Sequence, residues 1–170
     1  MKKLLFSAVL FVSLFACSQE DKSKRPSPPA KVSETIKSGA VVTIDYSQPS
    51  IKGRTIGKDL EPMEGKVWRA GANEATVFEV SKDVKVEGQA LPAGKYGLFT
   101  VTNGDDWTII FNKTWKQWGA FNYKEADDAL RVKVKGGKTK SFAEKLNYAV
   151  DKNGKVSLMW GDKEVDFKVQ

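Results

Sequence analysis

From about Val32 onward, apolar and polar residues alternate in short runs separated by turn residues. Val42, Ile44 and Tyr46 share one side of such a run, with Thr43 and Asp45 on the other. Leu130, Val132 and Val134 repeat the pattern against Arg131, Lys133 and Lys135. Three more sets follow near the C-terminus: Leu146, Tyr148 and Val150; Val156, Leu158 and Trp160; Val165, Phe167 and Val169. Successive side chains of a β-strand point to opposite faces, so this period of two predicts half-buried strands. Gly97-Leu98-Phe99-Thr100-Val101 and Trp107-Thr108-Ile109-Ile110-Phe111 are more continuously apolar and are expected to be central strands covered on both faces.

Turn chemistry falls between the runs. Asn153-Gly154 and Gly161-Asp162 are each expected to close a hairpin, and Glu87-Gly88, Pro92-Ala93-Gly94 and Asn103-Gly104 punctuate the middle of the chain. Tyr123 to Ala129 has room for one helical turn. Many short strands at this spacing predict an all-β domain over residues 32–170, a two-sheet antiparallel β-sandwich of jelly-roll type with about ten strands.

The N-terminus has a different pattern. Met1-Lys2-Lys3 is positive, and Leu4 to Phe15 is apolar apart from Ser7 and Ser13. Such a run is short for a bilayer core of about 30 Å but suits a signal peptide. Leu14-Phe15-Ala16-Cys17 resembles a lipobox, although Phe15 is bulkier than the residue usual at that place. Residues 1–16 therefore read as a lipoprotein signal peptide and Cys17 as the lipidation site. An ordinary secretory signal with a chance cysteine is the alternative, against which stands the rarity of a lone cysteine in a secreted chain. Several acyl chains, at about 0.8 kcal/mol per buried CH₂, would hold the protein stably to a membrane.

Residues 17–31 then form the lipidated cysteine and a flexible tether, polar and rich in proline at Pro26, Pro28 and Pro29. Ser18-Gln19-Glu20-Asp21 is either an acidic export tag for the cell surface or part of a generic linker. The expected location is the cell envelope, as an outer-membrane lipoprotein facing the periplasm or the surface.

Composition narrows the chemistry. Histidine is absent and Cys17 is the only cysteine, which leaves no Ser-His or Cys-His couple and no nitrogen and sulfur ligand set for zinc. Neither a cofactor nor a metal site is expected. Asp105-Asp106 and Asp127-Asp128 read as solvated turn acids. Loss of Lys2 and Lys3 lowers the formal charge from +7 to +5, which favours contact with anionic headgroups but is too diffuse to argue for nucleic acid. The run Arg131, Lys133, Lys135, Lys138 and Lys140 reads as a solvated strand face.

Two segments concentrate groups able to bind. Trp68-Arg69-Ala70-Gly71-Ala72-Asn73-Glu74-Ala75-Thr76 sets Arg69, Asn73 and Glu74 among small residues that permit close backbone approach. It is either a polar pocket for a sugar, carboxylate or peptide end, or a sheet corner in which Arg69 and Glu74 neutralise each other. Trp115-Lys116-Gln117-Trp118-Gly119-Ala120-Phe121-Asn122-Tyr123 is a long aromatic connection. Its rings, above all Trp115, Trp118 and Tyr123, suit a pyranose face, with Lys116, Gln117 or Asn122 for the hydroxyls. The alternative is a lid that plugs an open end of the sandwich.

These segments also carry a resemblance. Tyr46-Ser47-Gln48-Pro49-Ser50, Val67-Trp68-Arg69-Ala70-Gly71-Ala72-Asn73-Glu74-Ala75-Thr76, Leu91-Pro92-Ala93-Gly94-Lys95-Tyr96 and Gln117-Trp118-Gly119-Ala120-Phe121-Asn122-Tyr123, in this order, resemble bacterial domain-of-unknown-function family 2911. The resemblance runs from about Lys31 to the C-terminus. It implies an exported β-sandwich protein and supplies no reaction, ligand or catalytic residue.

The functional expectation is a non-catalytic module that binds a glycan or peptide. The alternatives are a structural subunit of an envelope complex, and a carboxylate-dependent hydrolase pairing Glu74 with Asp59, Glu61, Glu64 or Glu79.

Overall fold

In the computed structural model, which describes residues 21–170, the alternating runs are strands and most pair with the next run in sequence. The expected signal peptide, the lipidated Cys17 and most of the acidic tag lie outside the described residues. The strands are β1 (Pro29–Thr35), β2 (Val41–Ser47), β3 (Thr76–Val80), β4 (Val84–Val86), β5 (Gln89–Leu91), β6 (Gly94–Asn103), β7 (Asp106–Asn112), β8 (Asp128–Val150) and β9 (Lys155–Lys168). Seven of them form one sheet in the order β1-β2-β3-β6-β7-β8-β9, and β4-β5 form a small second sheet. Every pairing between these strands is antiparallel. Sequence neighbours are sheet neighbours throughout, except where the β4–β5 hairpin interrupts the path from β3 to β6. Two single 3-10 turns, Lys22–Lys24 and Glu125–Asp127, complete the described structure, the second inside the predicted helical turn. No described helix is long and apolar enough to cross a membrane.

The large sheet curls because β8 is long enough to serve several partners. Its first part pairs with β7 and its later part with β9, with register shifts along the way. The later part also takes up the chain leaving β2. Ile51 N–H donates to the Glu144 carbonyl at 2.9 Å, and Leu146 N–H donates to the Pro49 carbonyl at 3.0 Å. Gln48 Nε2 donates to the Leu146 carbonyl at 2.9 Å. These bonds tie the β2 side of the curled sheet to its far side.

Asn153-Gly154 joins β8 to β9, as expected. Gly161-Asp162 closes no hairpin, because β9 runs straight through it. Val156, Leu158 and Trp160 stand at even positions, while Val165, Phe167 and Val169 stand at odd ones. Such a change of phase needs either a turn or an extra residue, and the chain uses an irregular, bulged stretch opposite β8. Gly161, at φ +66°, supplies the backbone freedom there, and a Cβ on it would stand 2.7 Å from Ile56 Cδ1.

Inward residues from both ends of the sheet share one core. Phe111 lies at its centre, with ring centroids 4.9 Å from Phe78, 5.9 Å from Phe167 and 6.5 Å from Tyr96. A second, smaller cluster of Ala75, Phe99 and Ile110, covered by Ala120 and Tyr123, lies apart from it. Leu98 and Phe111 belong to the main core while their neighbours Phe99 and Ile110 belong to the second cluster, which is why β6 and β7 read as continuous apolar runs.

Truncating Phe111 to Ala is expected to cost about 3–5 kcal/mol in urea unfolding, as for other buried phenylalanines. Phe121→Ala, at an 84 % exposed position, should change stability by less than about 0.5 kcal/mol.

Candidate functional site

Both singled-out segments are held by backbone bonds to the strands and to each other. Trp68 N–H and carbonyl exchange 2.8 Å hydrogen bonds with Thr100 on β6. The chain then turns sharply, with Ala70 at φ 51° and Asn73 at φ 56°, a region that costs a non-glycine residue about 1–3 kcal/mol. The turn is held from outside. Tyr148 Oη donates to the Ala70 carbonyl at 2.7 Å, and Thr76 Oγ1 donates to the same carbonyl at 3.0 Å. Gly71 is required by space: a Cβ there would lie 2.7 Å from Thr76 Oγ1 and 3.3 Å from the Ser47 carbonyl.

The turn leads into the contact that makes the site. Ala75 N–H donates to the Gln117 carbonyl and Gly119 N–H to the Asn73 carbonyl, each at 3.0 Å. Glu74 and Trp118 are thereby directly opposite in an antiparallel bridge. Opposite residues of such a pair project to the same side, so the two side chains share one face.

The connection bearing Trp118 is fastened at both ends. Gln117 Nε2 donates to the Thr114 carbonyl at 2.6 Å. The Tyr123 ring packs on Phe99 at 5.1 Å, and its hydroxyl donates to Asp128 Oδ2 at 2.7 Å. Burial and then this bond to Asp128 raise the Tyr123 phenol well above its ordinary range. Asp128 also receives Asn112 Nδ2 and Arg131 Nη1, and its side chain is only 6 % exposed. Asp127 accepts from Thr114 Oγ1. The pair expected to be solvated therefore serves to pin the connection, because its turn folds back onto β7 and β8.

Glu74, Trp115, Gln117 and Trp118 line a groove of about 510 Å³, together with Asp45, Tyr46 and Ser47 at the end of β2. Trp118 is 52 % exposed, whereas Gln117 is buried and its Oε1 has no hydrogen-bond partner among the described residues. The chain ahead of β1 forms one wall. Lys22 Nζ lies 2.8 Å from Glu74 Oε1, and Arg25 Nη1 lies 3.0 Å from both Glu74 oxygens. The Arg25 guanidinium also sits 5.8 Å from the Trp118 ring centroid. Asn73 Nδ2 donates to the Ser27 carbonyl at 2.9 Å, and Gln48 N–H to the Pro28 carbonyl at 2.8 Å. The described part of the proline-rich stretch is thus laid on the domain, and β1 already begins at Pro29. Partial burial works to raise the Glu74 carboxyl, but Lys22, its own backbone amide and Arg25 outweigh it and hold it at about 2.

The other predicted residues separate. Arg69 and Asn73 line a second cavity of about 270 Å³ beside Arg54, Glu61 and Trp160. Arg69 makes no ion pair with Glu74, whose oxygens face Lys22 and Arg25. Burial draws the Arg69 pKa down, opposed by the charge of Glu61. Asn122 is exposed on the connection, and neither it nor Tyr123 lines either cavity. Of the acids weighed as partners for Glu74, Asp59 accepts Thr55 N–H, Glu64 accepts Gly104 N–H, and Glu79 pairs with Lys95. Asp45 is the carboxylate that shares the groove, and it is paired with Lys31. Among the described residues no group of three or more carboxylate or cysteine side chains is placed to hold a metal ion. Lys22, Arg25 and Asp45 escaped the sequence reading, since nothing in a polar, proline-rich stretch signals which cation will find Glu74.

The depressed Glu74 pKa has a sign that can be tested. Its contribution should be complete above about 4.5 and fade as pH falls toward about 2. Unaltered protein should exceed Glu74→Gln by about 1 kcal/mol near neutrality, a value discounted for solvent screening. Chemical denaturation from about pH 7 to pH 2 should show that gap closing at the acid end.

Residues 27–169 match the model of a family described as protein of unknown function, DUF2911. No curated protein and no solved structure matches the chain. The matched residues take in all nine described strands and both segments that meet at the groove, and the chain belongs to the DUF2911 family.

Proposed function

We propose that this protein is a non-catalytic ligand-binding module of the bacterial envelope, held to a membrane by acyl chains on Cys17. Its ligand, a glycan or a short peptide, lies in the groove between Glu74 and Trp118. The observation that carries this reading is their bridge pairing, which fixes a half-exposed indole beside an ionised carboxylate. A groove of about 510 Å³ has the size of a small-ligand site. The indole face suits sugar C–H groups or peptide side chains.

This reading keeps Glu74, Trp115 and Trp118 from the expected set. Arg69 and Asn73 line the neighbouring cavity, where Asn73 holds the Ser27 carbonyl, and Tyr123 fastens the connection. The low pKa removes Glu74 from the general-acid role of a hydrolase, because a general acid must be protonated at its working pH and Glu74 at about 2 is not. A structural subunit of an envelope complex is the second reading, favoured by Phe142, 64 % exposed on β8.

The outer membrane is the proposed location, with the domain facing the periplasm or the surface. Four residues lie between Cys17 and Lys22 on the groove wall, so at most about 18 Å of chain joins the proposed anchor to the groove. The two-layered sandwich belongs to this reading too. Its support is the core that β2, β3 and β7 share with β8 and β9, although the meander order offers no jelly-roll crossover.

Trp118→Ala should abolish binding to whatever ligand a glycan or peptide array reveals, while moving the thermal midpoint by no more than about 2 °C. A large drop in midpoint without a binding defect would mean that the ring is structural. Metabolic labelling with a radioactive fatty acid should mark the protein, and Cys17→Ser should remove the label.

A further inference from the structure

We infer that the groove selects a peptide carrying an arginine, and that the chain's own Arg25 occupies the arginine position as a competing internal ligand. The inference rests on the groove reading above and adds its ligand class. A guanidinium has two recognition preferences, a carboxylate to hydrogen-bond and an aromatic face to lie against. Here both are met at one point. Arg25 Nη1 reaches the two Glu74 oxygens at 3.0 Å, and its guanidinium carbon lies 5.8 Å from the Trp118 ring centroid. The backbone bridge between Glu74 and Trp118 builds this pair of contacts without help from Arg25. The Arg25 side chain, only 14 % exposed, is seated rather than laid on the surface.

The backbone that follows the arginine is held beside the groove, not in it. Asn73 Nδ2 takes the Ser27 carbonyl, and Gln48 N–H takes the Pro28 carbonyl. Arg25 itself is at φ −66°, ψ 149°, the extended geometry of proline-rich segments. A peptide arginine would meet the same carboxylate and indole, whereas a neutral glycan brings no cation to Glu74. Lys22 and Arg25 precede the residues matched by the family, so the carboxylate and the indole belong to the matched residues and the cations that meet them to the chain in front.

An internal ligand acts at an effective concentration of about millimolar, so it lowers apparent affinity for an outside peptide by the ratio of docked to undocked segment. Ion pairs to a carboxylate that is 37 % exposed are individually weak, so the Lys22 and Arg25 side chains can leave Glu74 while Ser27 and Pro28 stay bonded.

The probe is a dye-labelled peptide with the sequence Lys22–Ala30, followed by fluorescence anisotropy against the full chain. It should bind the Lys22→Ala/Arg25→Ala variant at least tenfold more tightly than the unaltered protein. Glu74→Gln added to that variant, or Arg25→Gln in the peptide, should each cost at least tenfold. Equal affinity for the unaltered and doubly substituted chains would overturn the internal competition. Equal affinity of the two peptides, or no binding to any chain, would overturn the arginine preference. A Trp118-dependent glycan hit with no peptide binding removes this inference and leaves the groove reading standing. No Trp118-dependent ligand of either kind removes both.

Discussion

Two backbone hydrogen bonds, from Ala75 to Gln117 and from Gly119 to Asn73, turn two connections distant in sequence into one surface. Each segment alone would be a mobile loop end carrying one functional group. Paired, they fix Glu74 and Trp118 on the same side with the precision of a strand ladder. The proposed ligand site depends on that geometry, because neither a carboxylate nor an indole is selective until the other stands at a set distance from it.

The pairing is expensive locally and is held by its surroundings. Ala70 and Asn73 adopt left-handed backbone, and Gly71 leaves no space for a side chain. The cost is offset by Tyr148, whose buried hydroxyl reaches across from β8 to the Ala70 carbonyl, and by Thr76 at the start of β3. On the other side, Phe99 and Ile110 provide an apolar seat for Ala120 and Tyr123, and Asp128 takes the Tyr123 hydroxyl. The second apolar face of β6 and β7 therefore serves the site directly: it is the platform on which the aromatic connection is laid.

Electrostatics then decide what the surface favours. Glu74 is partly exposed and could have been a bare carboxylate, but Lys22 and Arg25 keep it ionised far below its ordinary range. Such a group holds cations well and gives up protons too readily to act as an acid. Arg69 stands one cavity away with Glu61 as its nearby charge, so a pairing between Arg69 and Glu74 that looks natural five residues apart does not form. The intervening turn sends the two side chains to different sides of the loop.

Much of the fold was legible in the residues. Period-two alternation marked β2, both ends of β8 and β9, and continuous apolar runs marked β6 and β7, because burial on one face or two leaves that signature in polarity. The same evidence could not distinguish a hairpin from a bulge at Gly161, since both reverse the phase of the pattern. The sequence by itself also determined which chemistry is absent, through its lack of histidine, and which segments hold unusual groups. Tertiary structure alone decided which of those groups meet. Glu74 found Trp118 through long-range backbone pairing, and found Arg25 through a segment whose composition reads as plain spacer. Polarity patterns record whether a residue is buried; they carry no record of the partner it is buried against.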